Sequence, residues 1–117
     1  MRAKDMLGKS GEQAAAEYLE SCGLRILDRN WRCPLGEIDI IARRRALLIF
    51  VEVKARPSFE EAAWSVTEHQ RWRIAAAAEV WLARYGDGRI RDIRFDAMLV
   101  APGRIPRHIA GAFEAGR

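Results

Sequence analysis

The sequence predicts an α/β fold in which a mixed four-stranded sheet is flanked by helices, in the order helix, three strands, helix, strand. Three observations predict it. Two stretches carry apolar residues at helical spacing behind capping-box patterns. Four runs are apolar and rich in branched residues between turn signals. Three of those runs follow one another directly, which favours an antiparallel meander, and the long second helix supplies the crossover to the fourth strand.

The first helix is expected from Ser10 to Cys22, with Ser10 and Gln13 as its capping box, Ala15, Leu19 and Cys22 as its apolar stripe, and Gly23 as its stop. Leu24 to Trp31 reads as the first strand, Leu35 to Arg43 as the second and Ala46 to Ala55 as the third, after which Arg56-Pro57-Ser58 breaks the sheet. The second helix is expected from Thr67 to Tyr85, with Thr67 and Gln70 as a second capping box and Ile74, Ala77, Ala78, Trp81 and Tyr85 as its stripe. Gly86-Asp87-Gly88 ends it, and Arg91 to Val100 is the fourth strand. Pro102, Gly103 and Pro106 mark a loosely ordered tail over 102–117.

A chain of 117 residues suits one domain, with a core over about residues 8–101. The formal net charge is +4, and the basic side chains are 17 arginines against only Lys4, Lys9 and Lys54. Planar guanidinium forks suit phosphate, so the balance permits a nucleic-acid partner without requiring one. Cys22 and Cys33 lack metal-ligand spacing and are too few for a disulfide framework. They read as free thiols in a reducing compartment. No apolar run approaches a membrane span and no signal-peptide pattern opens the chain, so a cytoplasmic location is expected. No Ser/His/Asp set, phosphate-binding glycine loop or dinucleotide fingerprint is present, and His69 and His108 do not make a catalytic pair.

The chemistry-bearing residues are acids inside greasy strands. Leu47-Leu48-Ile49-Phe50-Val51-Glu52-Val53-Lys54 reads as a buried strand with a carboxylate in it, and a buried carboxylate needs a proton, a cation or hydrogen bonds. Side chains two apart share a strand face, so Glu52 goes with Lys54 and Glu37 with Asp39. If the strands pair through the turn Arg43-Arg44-Arg45, the four groups converge and the basic turn lies beside them to grip a phosphate backbone. Clustered acids beside a lysine suit a hard divalent cation and attack of water on phosphate. Blander readings stand next to these: Glu37 and Asp39 on a solvated face, Lys54 in a cross-strand ion pair with Asp39, and Arg43-Arg44-Arg45 as an ordinary hairpin tip. Glu12 faces the sheet from the first helix or is a first-turn acid favoured by the helix dipole. Gln70 continues a buried stripe or caps Thr67. Arg71 and Arg73 touch phosphate or are solvated. Asp96 is expected in a structural salt bridge or cap; Trp31, Trp64, Trp72 and Trp81 read first as core or loop anchors, with Trp64 and Trp72 the two candidates for DNA contact.

Gly11-Glu12, Asn30-x-Arg32, Gly36-Glu37-Ile38-Asp39-Ile40-Ile41-Ala42, Phe50-Val51-Glu52-Val53-Lys54-x-Arg56 and Arg94-Phe95-Asp96 together resemble the YraN-like bacterial family over roughly residues 8 to 100. That family is similar to archaeal Holliday-junction resolvases and the wider PD-(D/E)xK nucleases. The resemblance implies an αβββαβ restriction-endonuclease-like core. It implies that Asp39, Glu52 and Lys54 match the D…ExK signature, with Glu12 as a helix-borne acid, and Glu37 and Gln70 as accessory positions. Ile38 stands in place of the signature proline, and Gln70 stands where these proteins usually carry lysine. The expected activity is a Mg²⁺- or Mn²⁺-dependent endonuclease acting on structured DNA. Asp39, Glu52, the Val53 carbonyl and Glu12 would serve the metal, while Arg43, Arg44, Arg45, Arg56, Arg71 and Arg73 would contact nucleic acid. A non-catalytic DNA-binding protein that keeps the fold is the alternative, and RNA is a chemically reasonable substrate as well. The resolvase resemblance also implies a homodimer.

Overall fold

The computed structural model describes residues 3–63 and 66–114, with side chains from residue 11 onward. Helix α1 (Ala3–Ser21) leads into strands β1 (Arg25–Cys33), β2 (Gly36–Arg44) and β3 (Leu47–Ala55). A short helix α2 (Phe59–Ala63) and the long α3 (Glu68–Tyr85) precede β4 (Asp92–Val100) and β5 (Arg107–Phe113). The strands lie in the order β1-β2-β3-β4-β5. Only β3 and β4 run parallel, since α2 and α3 fill the connection between them, and the other neighbours are antiparallel. The α/β class, the meander and the crossover are therefore as the sequence predicts.

Three elements differ from expectation. Helix α1 starts at Ala3, so Ser10 lies within it and is no N-cap, and Gln13 instead bonds Glu17 and Arg29. Lys4, Met6 and Leu7 are good helix formers, and nothing in that stretch is a strong enough breaker to delay the start. Helix α2 follows Pro57-Ser58, with the Ser58 hydroxyl accepting the Glu61 N–H. The sheet has five strands rather than four: Pro102 and Gly103 (φ 69) lie in the turn that returns the chain as β5, within the segment expected as a loose tail. This edge strand exposes most of its residues, so it lacks the apolar alternation that would announce it. Helix α3 has the Thr67–Gln70 capping box in full.

The sheet buries both faces. Leu19 of α1 packs with Ile40, Ala42, Ile49, Val51 and Met98 on one side. Ile74, Ala77 and Trp81 of α3 pack with Ile41, Leu48, Phe50 and Phe95 on the other. Phe50 stacks on Phe95 at 5.5 Å between ring centroids and meets Trp81 edge-on at 6.1 Å. Each such aromatic or branched side chain contributes roughly 1.5–3 kcal/mol by leaving water. Buried on both faces, β3 becomes a rigid rail for whatever acid it carries.

Candidate active site

β2 and β3 pair from Arg44↔Leu47 to Ile40↔Val51, and the pairing stops there. Carried one step further, the same register would set Asp39 opposite Glu52. Instead the Val53 N–H donates to Asp39 Oδ2 at 2.8 Å, so a side-chain oxygen takes a place a ladder carbonyl would fill. Ile38 and Ile40 ought to share a face by the period of two, yet Ile38 joins the α3-side core and Ile40 the α1-side core. The strand thus turns over at Asp39. Across from it on β1, between the pairs Arg29↔Ile40 and Trp31↔Ile38, Asn30 adopts φ 50. Asparagine tolerates that left-handed conformation better than most residues. The irregularity opens a fork between β2 and β3, with the acid at its base.

Glu52 and Lys54 project from β3 on the side of Phe50 and α3, as alternation requires. Lys54 Nζ lies 3.0 Å from Glu52 Oε1, so the lysine pairs along its own strand rather than across to Asp39. Asp39, Glu52 and Lys54 are all buried. Among the described residues, no cation pairs with Asp39. Burial above all, then the Glu52 charge, and to a lesser degree Glu12, push its carboxyl up to about 8, against the downward pull of the Val53 amide; a hydrogen bond with the Glu52 carboxyl adds to the rise. At neutral pH the Asp39–Glu52 pair therefore keeps a proton where a cation would otherwise balance the charge.

Glu12 reaches this acid pair because Gly11 precedes it. A Cβ at Gly11 would stand 2.6 Å from Ala55 Cβ, so glycine lets α1 lie directly on β3. Since α1 begins at Ala3, Glu12 sits beyond the first turn, where the helix dipole gives little. Its half-buried place facing Asp39 is the alternative that the geometry favours.

Glu37 is set apart from the buried trio. It is exposed and ion-paired with Arg32 at 3.0 Å, its register partner on β1. Both line a cleft of about 410 Å³ that also reaches Glu52, Gln70 and Arg73. Gln70 does two things at once: its Oε1 accepts the Thr67 N–H as a cap, and its side chain walls the cleft. Arg73 donates to the Leu35 carbonyl at 3.3 Å, and Gly36 allows the Arg73 backbone to approach, since a Cβ there would be 2.7 Å from the Arg73 oxygen. Arg32 is the cleft residue that the sequence reading held only as part of a motif. Its cross-strand pairing with an acid next to the buried site was the available signal.

The remaining arginines lie elsewhere. Arg56 is half-buried just after β3 and donates to the Ala55 carbonyl. Arg71 stacks 5.9 Å over Phe113. Arg43, Arg44 and Arg45 close the hairpin as expected but at the end opposite the acids, not beside them. Five residues of strand separate Arg44 from Asp39, about 17 Å at the usual rise. Arg43 pairs with Asp87, and Arg44 donates to the Cys22 carbonyl. Trp72 is exposed on α3, whereas Trp64 lies outside the described residues. Asp96 is the structural acid anticipated, held by Arg94, His108 and the Gly111 N–H.

Among the described residues, no three His, Cys, Asp or Glu side chains gather closely enough to hold a metal unaided. The donors at the fork are nonetheless all hard oxygens. With Glu52 paired to Lys54, ionising Asp39 would add a negative charge that no cation among the described residues matches, and the Val53 carbonyl leaves β3 on the same edge as its N–H, toward the gap that β2 vacates. This donor set fits Mg²⁺ or Mn²⁺ with water completing the shell. No helix among the described residues is long and apolar enough to cross a membrane.

Comparison with known proteins shows the family. Residues 11–100 match "Uncharacterised protein family UPF0102". A UPF0102 protein of Nitrobacter winogradskyi is 56% identical over 108 residues, covering 92% of each chain. UPF0102 proteins of Rhodopseudomonas palustris and Bradyrhizobium diazoefficiens are 52% and 53% identical over 92% of this chain and 83% and 81% of their own. With the fork residues Asp39, Glu52 and Lys54 inside the matched span, the chain belongs to the UPF0102 family, the YraN-like group of PD-(D/E)xK nucleases.

Proposed function

We propose that the protein is a divalent-metal-dependent endonuclease that hydrolyses phosphodiester bonds in DNA, with branched or structured DNA as its substrate class and the cytoplasm as its setting. The observation that carries the reading is the pair of buried carboxyls at the β2–β3 fork, forced together with a lysine beside them and lacking a compensating cation on Asp39. A fold tolerates such a pair at a cost, and ligand chemistry is the ordinary reason to keep one.

Asp39, Glu52 and the Val53 carbonyl would hold Mg²⁺ or Mn²⁺, which when bound acidifies a water and offsets charge on the phosphate. Asp39 must release its proton to serve, so metal affinity rises with pH up to about 8. Lys54, 3.0 Å from Glu52, would neutralise a phosphate oxygen or orient the attacking water. Glu12, half-buried on α1 and acting on Asp39 through its charge, would complete the outer shell of the metal ion. Arg32 and Arg73 line the cleft and offer guanidinium forks to the flanking phosphates. Cutting two strands symmetrically takes two such sites, so a homodimer is part of the proposal.

One observation favours a second reading, a DNA-binding protein that keeps the fold without catalysis: Glu52 is already satisfied by Lys54. The two separate cleanly. Wild type, Asp39→Ala and Glu52→Ala are incubated with four-way junction, flap, single-stranded and linear DNA, and with an RNA duplex, in Mg²⁺, Mn²⁺ or EDTA. Hydrolysis predicts metal-dependent products from wild type alone, with binding retained or tightened in the variants. Products that persist in Glu52→Ala, or binding with no cleavage in any metal, would sink the catalytic reading.

A further inference from the structure

The turn end of the sheet holds a second feature that the acid fork does not use. Arg25 from the start of β1, Arg43, Arg44 and Arg45 from the β2–β3 turn, and Arg89 from the α3–β4 loop line one open basin. Among the described residues Asp87 is the one acid lining it, against five arginines, so the lining carries an excess of four positive charges, equal to the formal net charge of the whole chain. The protein's basicity is therefore concentrated here, and the rest of the molecule is close to neutral.

The basin is built rather than merely solvated. Three chain segments distant in sequence converge on it. Arg43 is clamped by Asp87 at 2.9 Å and by the Arg45 carbonyl at 2.8 Å, and Arg44 is tethered to the Cys22 carbonyl at 3.3 Å. The guanidinia of Arg25 and Arg45 have no acceptor among the described residues. Arg45 also takes φ 56, a turn conformation that favours glycine or asparagine. Arginine there bears a backbone strain that glycine or asparagine would relieve. Five guanidinia dominate the lining of the basin, which suits a run of phosphates.

We infer that this basin is a second backbone-binding site that holds the duplex arm of the nucleic acid about 17 Å from the acids, some five base-pair steps away. The inference rests on the proposed nucleic-acid function. It assigns Arg25, Arg45 and Arg89 to affinity rather than to chemistry.

The test measures fluorescence anisotropy of a labelled 20-base-pair duplex in EDTA across a salt series, for wild type and Arg25→Gln/Arg45→Gln. Both positions are exposed, so a matching thermal melt confirms an intact fold. Affinity should fall about tenfold, and the slope of log K against log salt should shrink by about 2, near 0.9 per lost phosphate contact. Equal affinity and slope in the double variant, or no duplex binding by wild type, overturns the inference. The same preparations with Mn²⁺, extended to the four-way junction and flap DNA of the cleavage assay, separate the two readings. Cleavage with unchanged variant binding leaves hydrolysis standing and removes the basin. Arginine-dependent binding without cleavage does the reverse.

Discussion

Asp39 and Asp96 are both buried aspartates in one sheet, and they titrate in opposite directions. Asp96 accepts Arg94 Nε at 2.8 Å and Nη2 at 2.9 Å, the Gly111 N–H at 2.9 Å, and a hydrogen bond from His108 at 2.6 Å. Burial alone would raise its carboxyl, but the His108, Arg94 and Gly111 bonds outweigh that and hold it at about 2. Asp39 receives one amide and faces two other acids, so burial wins and it rises to about 8. Desolvation is common to both, and the supply of donors is what differs. A buried acid with every lone pair met is architecture. One left short of positive charge beside an open cleft is where a fold keeps a place for a ligand.

The largest effect that contrast predicts is on stability at Asp96. Asp96→Ala strips a fully buried charge from Arg94 and His108 and orphans the Gly111 amide that ties β5 to β4, so unfolding in urea should be easier by roughly 3–5 kcal/mol. A loss below 1 kcal/mol would mean that the Asp96 knot does not hold the edge strand. In wild type its contribution is present above the unfolded carboxyl value near 3.8 and fades as pH drops toward about 2.

Asp39→Asn should act with the opposite sign. Between 3.8 and about 8 the folded state keeps a proton that the unfolded state releases, so stability falls as pH rises through that window and levels off above it. Asparagine removes the slope while its oxygen still accepts the Val53 N–H. The variant should therefore be more stable than wild type at pH 8, by an amount on the order of a few kcal/mol, and nearly equal to it at pH 4. Urea denaturation at the two pH values reads the difference directly. A variant less stable than wild type at pH 8 would place Asp39 among the structural acids with Asp96.

Much of this was legible because the relevant residues break a local pattern. An acid and a lysine within Leu47–Lys54 stand out against an apolar run, and the capping box and stripe of α3 match its observed bounds closely. What escaped reading depends on tertiary geometry. β5 is a mostly exposed edge strand, held to β4 by the backbone ladder and by Asp96, and neither leaves a periodic trace in Arg107–Phe113. The separation of Arg43–Arg45 from the acids follows from strand length, yet a shared hairpin had suggested proximity. The overturned strand at Asp39, which puts Ile38 and Ile40 on opposite faces, contradicts the period-two rule at the one place where the site needs it.

A smaller effect is expected at Gly11, where the site depends on packing. Gly11→Ala puts a methyl group 2.6 Å from Ala55 Cβ, and backbone on both sides must shift. Overpacking of this kind costs roughly 1–3 kcal/mol. It should also withdraw Glu12 from Asp39, so the same variant ought to weaken metal binding in isothermal titration. Lost stability with unchanged metal affinity would separate helix packing from the site.

The finest distinction lies among the three acids around Asp39, and its order follows from their placement. Glu52 is buried and bonded to the Asp39 carboxyl, Glu12 acts only through its charge, and Glu37 is exposed and engaged by Arg32. Carboxyl NMR of Asp39 should therefore show the midpoint dropping most in Glu52→Gln, less in Glu12→Gln and not at all in Glu37→Gln. Salt sharpens the ranking, since screening acts on a half-buried charge more than on a buried hydrogen-bonded one. The Glu12→Gln shift should shrink at high ionic strength while the Glu52→Gln shift persists. An equal shift from Glu12 and Glu37 would make the acid effect a diffuse surface field and would remove the specific placement of Glu12 against Asp39.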